Sequence, residues 1–378
     1  MHADALLSPW FDVLTEGLPS LLIRDVHTHI GRNDPDGFTS EPAELLAALE
    51  RAGARGVVFP MHEPGGYASA NDRVVEVAAK SDGRLAAFCR VSPLDRPLEE
   101  ARRALDAGAR GIKLHPRAED FALSHPAVVE VCALAAERRV PILTHAGRGI
   151  PALGRDALAL TERFPDLPIV LAHAGVSDLS WIWREARAHP NLFFDTSWWS
   201  VADLLALFSL VPPGQILFGS DAPYGTPVQS TILTLRCALQ AGLSAEQARS
   251  VMSEQAERLL ASERPIDLGD AAGMERLPRD VLLDRIHTLL AVAAREHLHG
   301  READQEIALA QLACDVGEEA PQAANCAQVL ALLELAATAA PPQSPGSSPQ
   351  HPATHLVVAA SVVARTPYAP SPALPAAT

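Results

Sequence analysis

Between residues 21 and 218 the chain carries eight short, nearly continuous apolar runs, separated by stretches with helix punctuation. The runs are 21–26, 56–60, 85–91, 111–114, 142–144, 169–172, 192–194 and 216–218. Apolar runs without polar alternation belong to strands buried on both faces, as in parallel sheets covered by helices. Ser40 and Pro42 before one intervening stretch with Gly53 after it, Asp95 and Pro97 before another that ends at Gly108, and Ser124 with Pro126 before a third read as helix starts and stops. Eight βα units in roughly 240 residues predict an α/β fold, a (β/α)8 TIM barrel, whose usual size is about 250 residues. An open doubly wound sheet would want a glycine-rich phosphate turn after its first strand, where this chain has His27 and His29.

At 378 residues the chain is longer than one barrel needs. Ser244 and Gln247 form a capping-box start for a helix ending near Ala261, so the barrel is assigned to 1–262. Residues 263–340 are rich in Leu and Ala with helical spacing at Val281, Leu282, Ile286, Leu289 and Leu290. They predict two or three helices packed on the barrel or on a second subunit, the latter making a homo-oligomer. From 341 onward Pro, Ser and Ala dominate with almost no charge, which predicts a disordered tail. Within it, 356–363 is apolar and β-prone, so it reads as an aggregation hazard or a docking segment.

Asp and Glu number 46 against 31 Lys and Arg, and a net charge of −15 argues against a phosphate backbone as partner. The five cysteines are scattered without C-x-x-C spacing, so neither a disulfide framework nor a thiolate zinc site is expected, and a reducing cytoplasm fits. The first residues lack a basic segment, and no apolar run reaches the ~18 residues of a membrane helix. The expected partner is a small-molecule substrate, with neither nucleic acid nor membrane.

Side chains alternate along a strand, so His27 and His29 share a face about 6.6 Å apart, close enough to chelate one ion. His145, His173 and Asp221 end the fifth, sixth and eighth runs or directly follow them. In a TIM barrel such ends converge on the C-terminal face, where active sites of this fold lie. Five metal-competent side chains then surround one point.

The segments Asp25-Val-His27-Thr-His29, Gly111-Ile-Lys113-Leu-His115-Pro116, Thr144-His145-Ala-Gly147, Leu171-Ala-His173-Ala-Gly175 and Phe218-Gly-Ser-Asp221-Ala-Pro223 resemble the amidohydrolase superfamily over roughly residues 20–262. The likeness is to its amidohydrolase-related branch, which includes enzymes like aminocarboxymuconate-semialdehyde decarboxylase. The resemblance implies a distorted barrel holding one or two divalent ions. One Zn²⁺ is the leading expectation, with two ions, or Mn²⁺ or Fe²⁺, as alternatives. By position it implies His27, His29 and His145 as metal ligands, Asp221 as ligand or general base, and His173 as general acid/base or ligand to a second ion. Three neutral imidazoles and one carboxylate leave Zn²⁺ with about one net positive charge, which can bring the pKa of bound water toward about 7. The expected reaction is hydrolysis of an amide, ester or lactone by a metal-bound hydroxide. The alternative is non-oxidative decarboxylation of an aromatic or unsaturated carboxylate.

Lys113 shares a strand face with His115 and must be neutralised beside a cationic centre. Either it is carbamylated and bridges two metals, or it pairs with an acid such as Asp195 or Glu63. The loops after the strands offer His115, Arg117, Arg148, Trp198 and Tyr224 as substrate-binding candidates, with His62, Glu63 and Trp199 beside them. Adjacent residues point apart in extended chain, so only one of Trp198 and Trp199 is expected in the pocket. Asp25 is expected as a buried orienting partner of His27, on the same strand face. The histidines outside the motifs, including His287, His297 and His355, are expected at the surface.

Overall fold

The computed structural model describes residues 3–147, 149–339 and 351–374. Nine short strands occupy the eight predicted positions: β1 (Ile23–Ile30), β2 (Ala54–Pro60), β3 (Leu85–Ala87), β4 (Cys89–Arg90), β5 (Ile112–Leu114), β6 (Ile142–Thr144), β7 (Ile169–Leu171), β8 (Leu192–Asp195) and β9 (Ile216–Leu217). All pairs are parallel, in the order β1-β2-β3 and β4 through β9. The two sheets join where the amide of Phe88, between β3 and β4, donates to Val58 O at 2.9 Å. They close where Val26 N donates to Phe218 O and His29 N to Ala222 O. With helices between successive strands, this is a TIM barrel.

Phe88 explains why the third run splits. Its ring lies over Gly111, where a Cβ would come within 2.4 Å of Phe88 Cζ, so a glycine in β5's approach makes room for a phenyl group inside the barrel. Val57, Phe59, Leu143, Val170, Phe193 and Leu217 fill the rest of that interior with Phe88, as the inner layer of a packed barrel requires. Ala256 and Leu259 close it from below, on the helix Gln255–Leu260. The capping box at Ser244 and Gln247 is formed, but the helix it opens passes through a π-helical turn, Ser250–Glu254, before Gln255.

The strand β1 runs through the histidines to Ile30, and one expectation about it is corrected. Its register against β2 gains one residue between Asp25 and Thr28, a β-bulge. The bulge breaks strict alternation: Val26 packs in the inner core, and the next residue, His27, meets Phe59 with ring centroids 5.2 Å apart. Bulges re-aim side chains beside active sites in this way. Asp25 therefore does not share His27's face by alternation.

Beyond the barrel come helices Val281–Leu298, Asp304–Ala313 and Ala323–Thr338. The expected disordered tail is corrected over 351–374, where Pro352–Arg365 is a helix with Ala353 to Ala364 all buried. Residues 340–350 and 375–378 lie outside the described residues. The flanking Pro and Ser dominated the composition, whereas this fourteen-residue segment is apolar all round, the pattern of a fully buried helix. Pro352 occupies its first turn, and His351 caps it by accepting from Ala353 N.

Arg236, wholly buried on the barrel helix Pro227–Gln240, holds the segment after it. Its guanidinium donates to Thr366 Oγ1 at 2.9 Å, Thr366 O at 2.8 Å, Pro370 O at 2.8 Å and Ser371 Oγ at 3.1 Å. His287 pairs with Ser361 O at 3.1 Å, and Arg365 with Asp284 at 3.2 Å. Among the described residues, no helix is long and apolar enough to cross a membrane.

Candidate metal centre

The closure of β9 onto β1 brings residues nearly two hundred positions apart together. Asp221 N donates to His27 O at 2.9 Å, which sets its carboxylate beside both histidines of β1. Asp221 Oδ1 lies 3.2 Å from His27 Nε2 and 3.2 Å from His29 Nε2. One nitrogen of each imidazole and one carboxylate oxygen fall within 4.8 Å of one another, a spacing that suits a shared ion. The backbone is bent to do this. His173, Ala174 and Asp221 take φ of 56°, 57° and 60°, left-handed values that non-glycine residues adopt at a cost and that cluster at functional sites.

Hydrogen bonds fix which nitrogens carry protons. His27 Nδ1 is 2.7 Å from Asp195 Oδ2, so it donates there and Nε2 keeps the lone pair that faces the site. His173 Nδ1 is 2.7 Å from Ser197 O, which can only accept. Neutral His173 therefore accepts at Nε2 from His145 Nδ1, 2.9 Å away, and His145 keeps its lone pair at Nε2. That Nε2 is buried without a partner among the described residues, as is His29 Nδ1. Burial, with Lys113 and neighbouring histidines adding to it, pushes His27, His29 and His145 well below their ordinary values and keeps them neutral. Burial also raises Asp221 well above the usual carboxylate range. Neutral imidazoles facing a carboxylate short of counter-charge fit a divalent cation. His145 is not part of the trio. It stacks on His115 at 3.9 Å and 11° and joins His173 instead, so the three-histidine set implied by resemblance is only partly gathered.

Asp195, named from sequence only as a partner for Lys113, is the hub beneath these groups. It also accepts from His173 N at 2.8 Å, Ser197 N at 3.0 Å and Ser197 Oγ. Asp25 accepts from His27 N at 3.1 Å and Ser220 N at 2.9 Å, bracing both sides of the closure, and burial lifts it to about 7. Lys113 faces the centre with Nζ 3.2 Å from His27 Nε2, and burial lowers it to about 7 against the pull of Asp195 and Asp221. Glu63 is not its partner. That carboxylate accepts from Asn33 at 2.6 Å.

Arg90 escaped the sequence reading. It pairs in register with Lys113 and follows Phe88 by two residues, so it faces the barrel mouth. Its guanidinium meets Glu119 at 2.6 Å and lies over Tyr67 at 5.0 Å, while Arg90 Nε, Glu119 Oε2 and His62 Nδ1 are buried without a hydrogen-bond partner among the described residues. The signal, the shared parity of residues 88 and 90, becomes readable once Phe88 is known to point into the barrel. Of the pocket candidates, Tyr224 meets His29 edge-on at 5.5 Å and donates to Asp34. Arg117 is exposed, and Arg148 lies outside the described residues. Trp198 and Trp199 both line one cavity beside Asp221, a correction to the expectation that only one would. His355 is another: it is buried and lines the same cavity.

Gly147 tests the part that His145 plays. A Cβ there would stand 2.5 Å from His145 Nε2, so Gly147→Ala displaces the imidazole without touching the core. A displacement of that size costs about 10²-fold in kcat/KM, with the melting temperature little changed. Wild-type kinetics in this variant would show that His145 Nε2 has no part in the reaction.

A family model described as amidohydrolase matches residues 25–261, from Asp25 to the end of the barrel. The chain belongs to the amidohydrolase family. Members of this family are metal-dependent enzymes, and the amidohydrolase barrel described here carries its candidate ligands inside the matched span. Solved structures share the fold. A TIM-barrel protein from Bordetella bronchiseptica superposes with a TM-score of 0.51 at 17% identity, covering 64% of this chain and 99% of that one. The 5-carboxyvanillate decarboxylase of Sphingomonas paucimobilis gives 0.50 at 17% identity, covering 64% and 99%. The Metarhizium anisopliae IDCase gives 0.51 at 17% identity, covering 65% and 98%. No curated protein matches the sequence significantly.

Proposed function

We propose that this amidohydrolase-family enzyme hydrolyses an ester, amide or lactone bond of a small organic molecule with one divalent ion, zinc first. The arrangement that carries the reading is Asp221, with Oδ1 shared between the two imidazole Nε2 atoms and Oδ2 turned toward His173 Nδ1 at 3.9 Å. An ion held by His27, His29 and Asp221 would polarise a substrate carbonyl and acidify water. The protein's own groups supply the rest. Asp195 holds His27 with its lone pair toward the site. Asp221 takes the proton of the attacking water on its carboxylate and passes it to the leaving group. His173 orients His145 through their shared proton. Five free, buried cysteines are in keeping with a reducing compartment, which we take to be the cytoplasm.

A second reading, non-oxidative decarboxylation, draws support from the cations Arg90 and Lys113 on one barrel layer, which suit a substrate carboxylate. The likeness to 5-carboxyvanillate decarboxylase adds to it. The deciding experiment strips the protein with a strong chelator, restores Zn²⁺ or Mn²⁺, and offers aryl and alkyl esters, lactones, anilides and hydroxybenzoates. Acid release that disappears on stripping and returns with metal is expected. Carbon dioxide release in its place would move the assignment to the second reading, and turnover indifferent to stripping would end both.

A further inference from the structure

We infer that the C-terminal helix Pro352–Arg365, together with Leu298, walls a side pocket of the catalytic centre that seats an aromatic ring of the substrate. The inference rests on the hydrolytic reading and names the substrate class for it. A cavity of about 120 Å³ opens beside Asp221. On the barrel side it is lined by Trp198 and Trp199, and on the other by Leu298, Thr354, His355 and Val358. Those four lie beyond residue 261, where the family match ends. The barrel supplies the chemistry and the extension supplies the wall.

The lining sets the chemistry of the occupant. The two indoles, with centroids 6.2 Å apart, stand with Leu298 and Val358 to give aromatic and aliphatic surface. Trp198 spends its one N–H on Asp203 Oδ2 at 2.7 Å, so it offers ring surface rather than a donor. Trp198 also stands 5.9 Å from the His173 ring, which places the cavity next to the catalytic groups. An apolar cavity of about 150 Å³ admits a benzene ring, so this smaller one, with Ser197, Ser220 and Gln229 also on its lining, limits its occupant to a single ring that carries a polar substituent. Apolar rings also favour offset and edge contacts with indoles.

The wall is fixed. Thr354, His355 and Val358 are each under 5% exposed, and Gln229 of the barrel donates to His355 O at 3.4 Å. The Arg236 bonds hold the far end of the same segment. A rigid wall discriminates by size, and a misfit of one or two methylenes is worth about tenfold or more.

The test uses the full chain and Val358→Phe, which narrows the cavity from the wall and leaves Asp221, His27, His29 and His173 unsubstituted. Phenyl acetate and methyl acetate are compared as substrates, and phenol binding is followed separately by ligand-observed NMR. The expected result is a fall of about tenfold or more in kcat/KM for phenyl acetate and in phenol affinity, with methyl acetate within about twofold of wild type. Val358→Ala should shift the preference toward naphthyl acetate. Equal loss on both acetates, or phenol binding unchanged in Val358→Phe, would overturn the assignment. If wild-type protein turns over neither ester, the wider panel of esters, lactones and anilides decides the hydrolytic reading, and phenol binding still decides the pocket.

Discussion

Asp221→Asn lowers turnover by about 10²–10⁴-fold, the range expected when a positioned general base is lost. The substitution keeps shape and removes the charge that lies 3.2 Å from both imidazole Nε2 atoms. Metal content should fall with activity, because an amide oxygen is a poorer ligand than a carboxylate and leaves the ion with neutral donors only. Folding should survive. Burial already disfavours the ionised carboxylate in the metal-free protein, so an uncharged isostere relieves desolvation instead of adding strain. Metal analysis, steady-state kinetics and a melting curve on the same preparation check all three outcomes. A melting temperature collapsing in parallel with activity would show Asp221 to be a structural strut of the β1–β9 closure.

Arg236→Met is expected to destabilise the protein by about 3 kcal/mol, in spite of removing a buried charge. Two effects oppose. Burial without a facing carboxylate costs the guanidinium enough to lower its pKa to about 10, and methionine relieves that cost. Against it stand four hydrogen bonds, and the loss leaves the Thr366 carbonyl buried with a missing donor. Replacing both partners of a buried interaction can be neutral, whereas removing one is not. The second case applies here, so the bonds win. Arg236→Lys should recover little, because one ammonium cannot span Thr366, Pro370 and Ser371 as a planar fork does. A drop of several degrees in melting temperature, with faster proteolysis after residue 351, is the expected readout. Unchanged melting would mean that packing alone seats the segment.

The barrel was legible because its strands are buried on both faces, so their apolar runs stand out whatever the local period. The candidate site was legible because His27, His29 and Asp221 sit where those runs end or just beyond. What escaped was set by register. No single-chain pattern shows that β1 gains a residue between Asp25 and Thr28, and that gain decides which way Asp25 and His27 face. Arg90 escaped for a related reason: its inward parity is visible only once Phe88 is known to point into the barrel. The C-terminal helix escaped because composition was averaged over its flanks. Its Val and Thr residues favour strands locally, but packing on four neighbouring helices overrides propensity.

The burial of Pro352–Arg365 against Pro227–Gln240 orders events during biosynthesis. The candidate ligand trio is complete once Asp221 has left the ribosome, yet the helix Pro352–Arg365 emerges some 130 residues later, a delay of roughly ten seconds at ordinary elongation rates. Through that interval the nascent chain presents the apolar flank of Pro227–Gln240 uncovered. A truncation near residue 340 would freeze this half-clad intermediate and deliver to the cell a sticky species that chaperones must restrain.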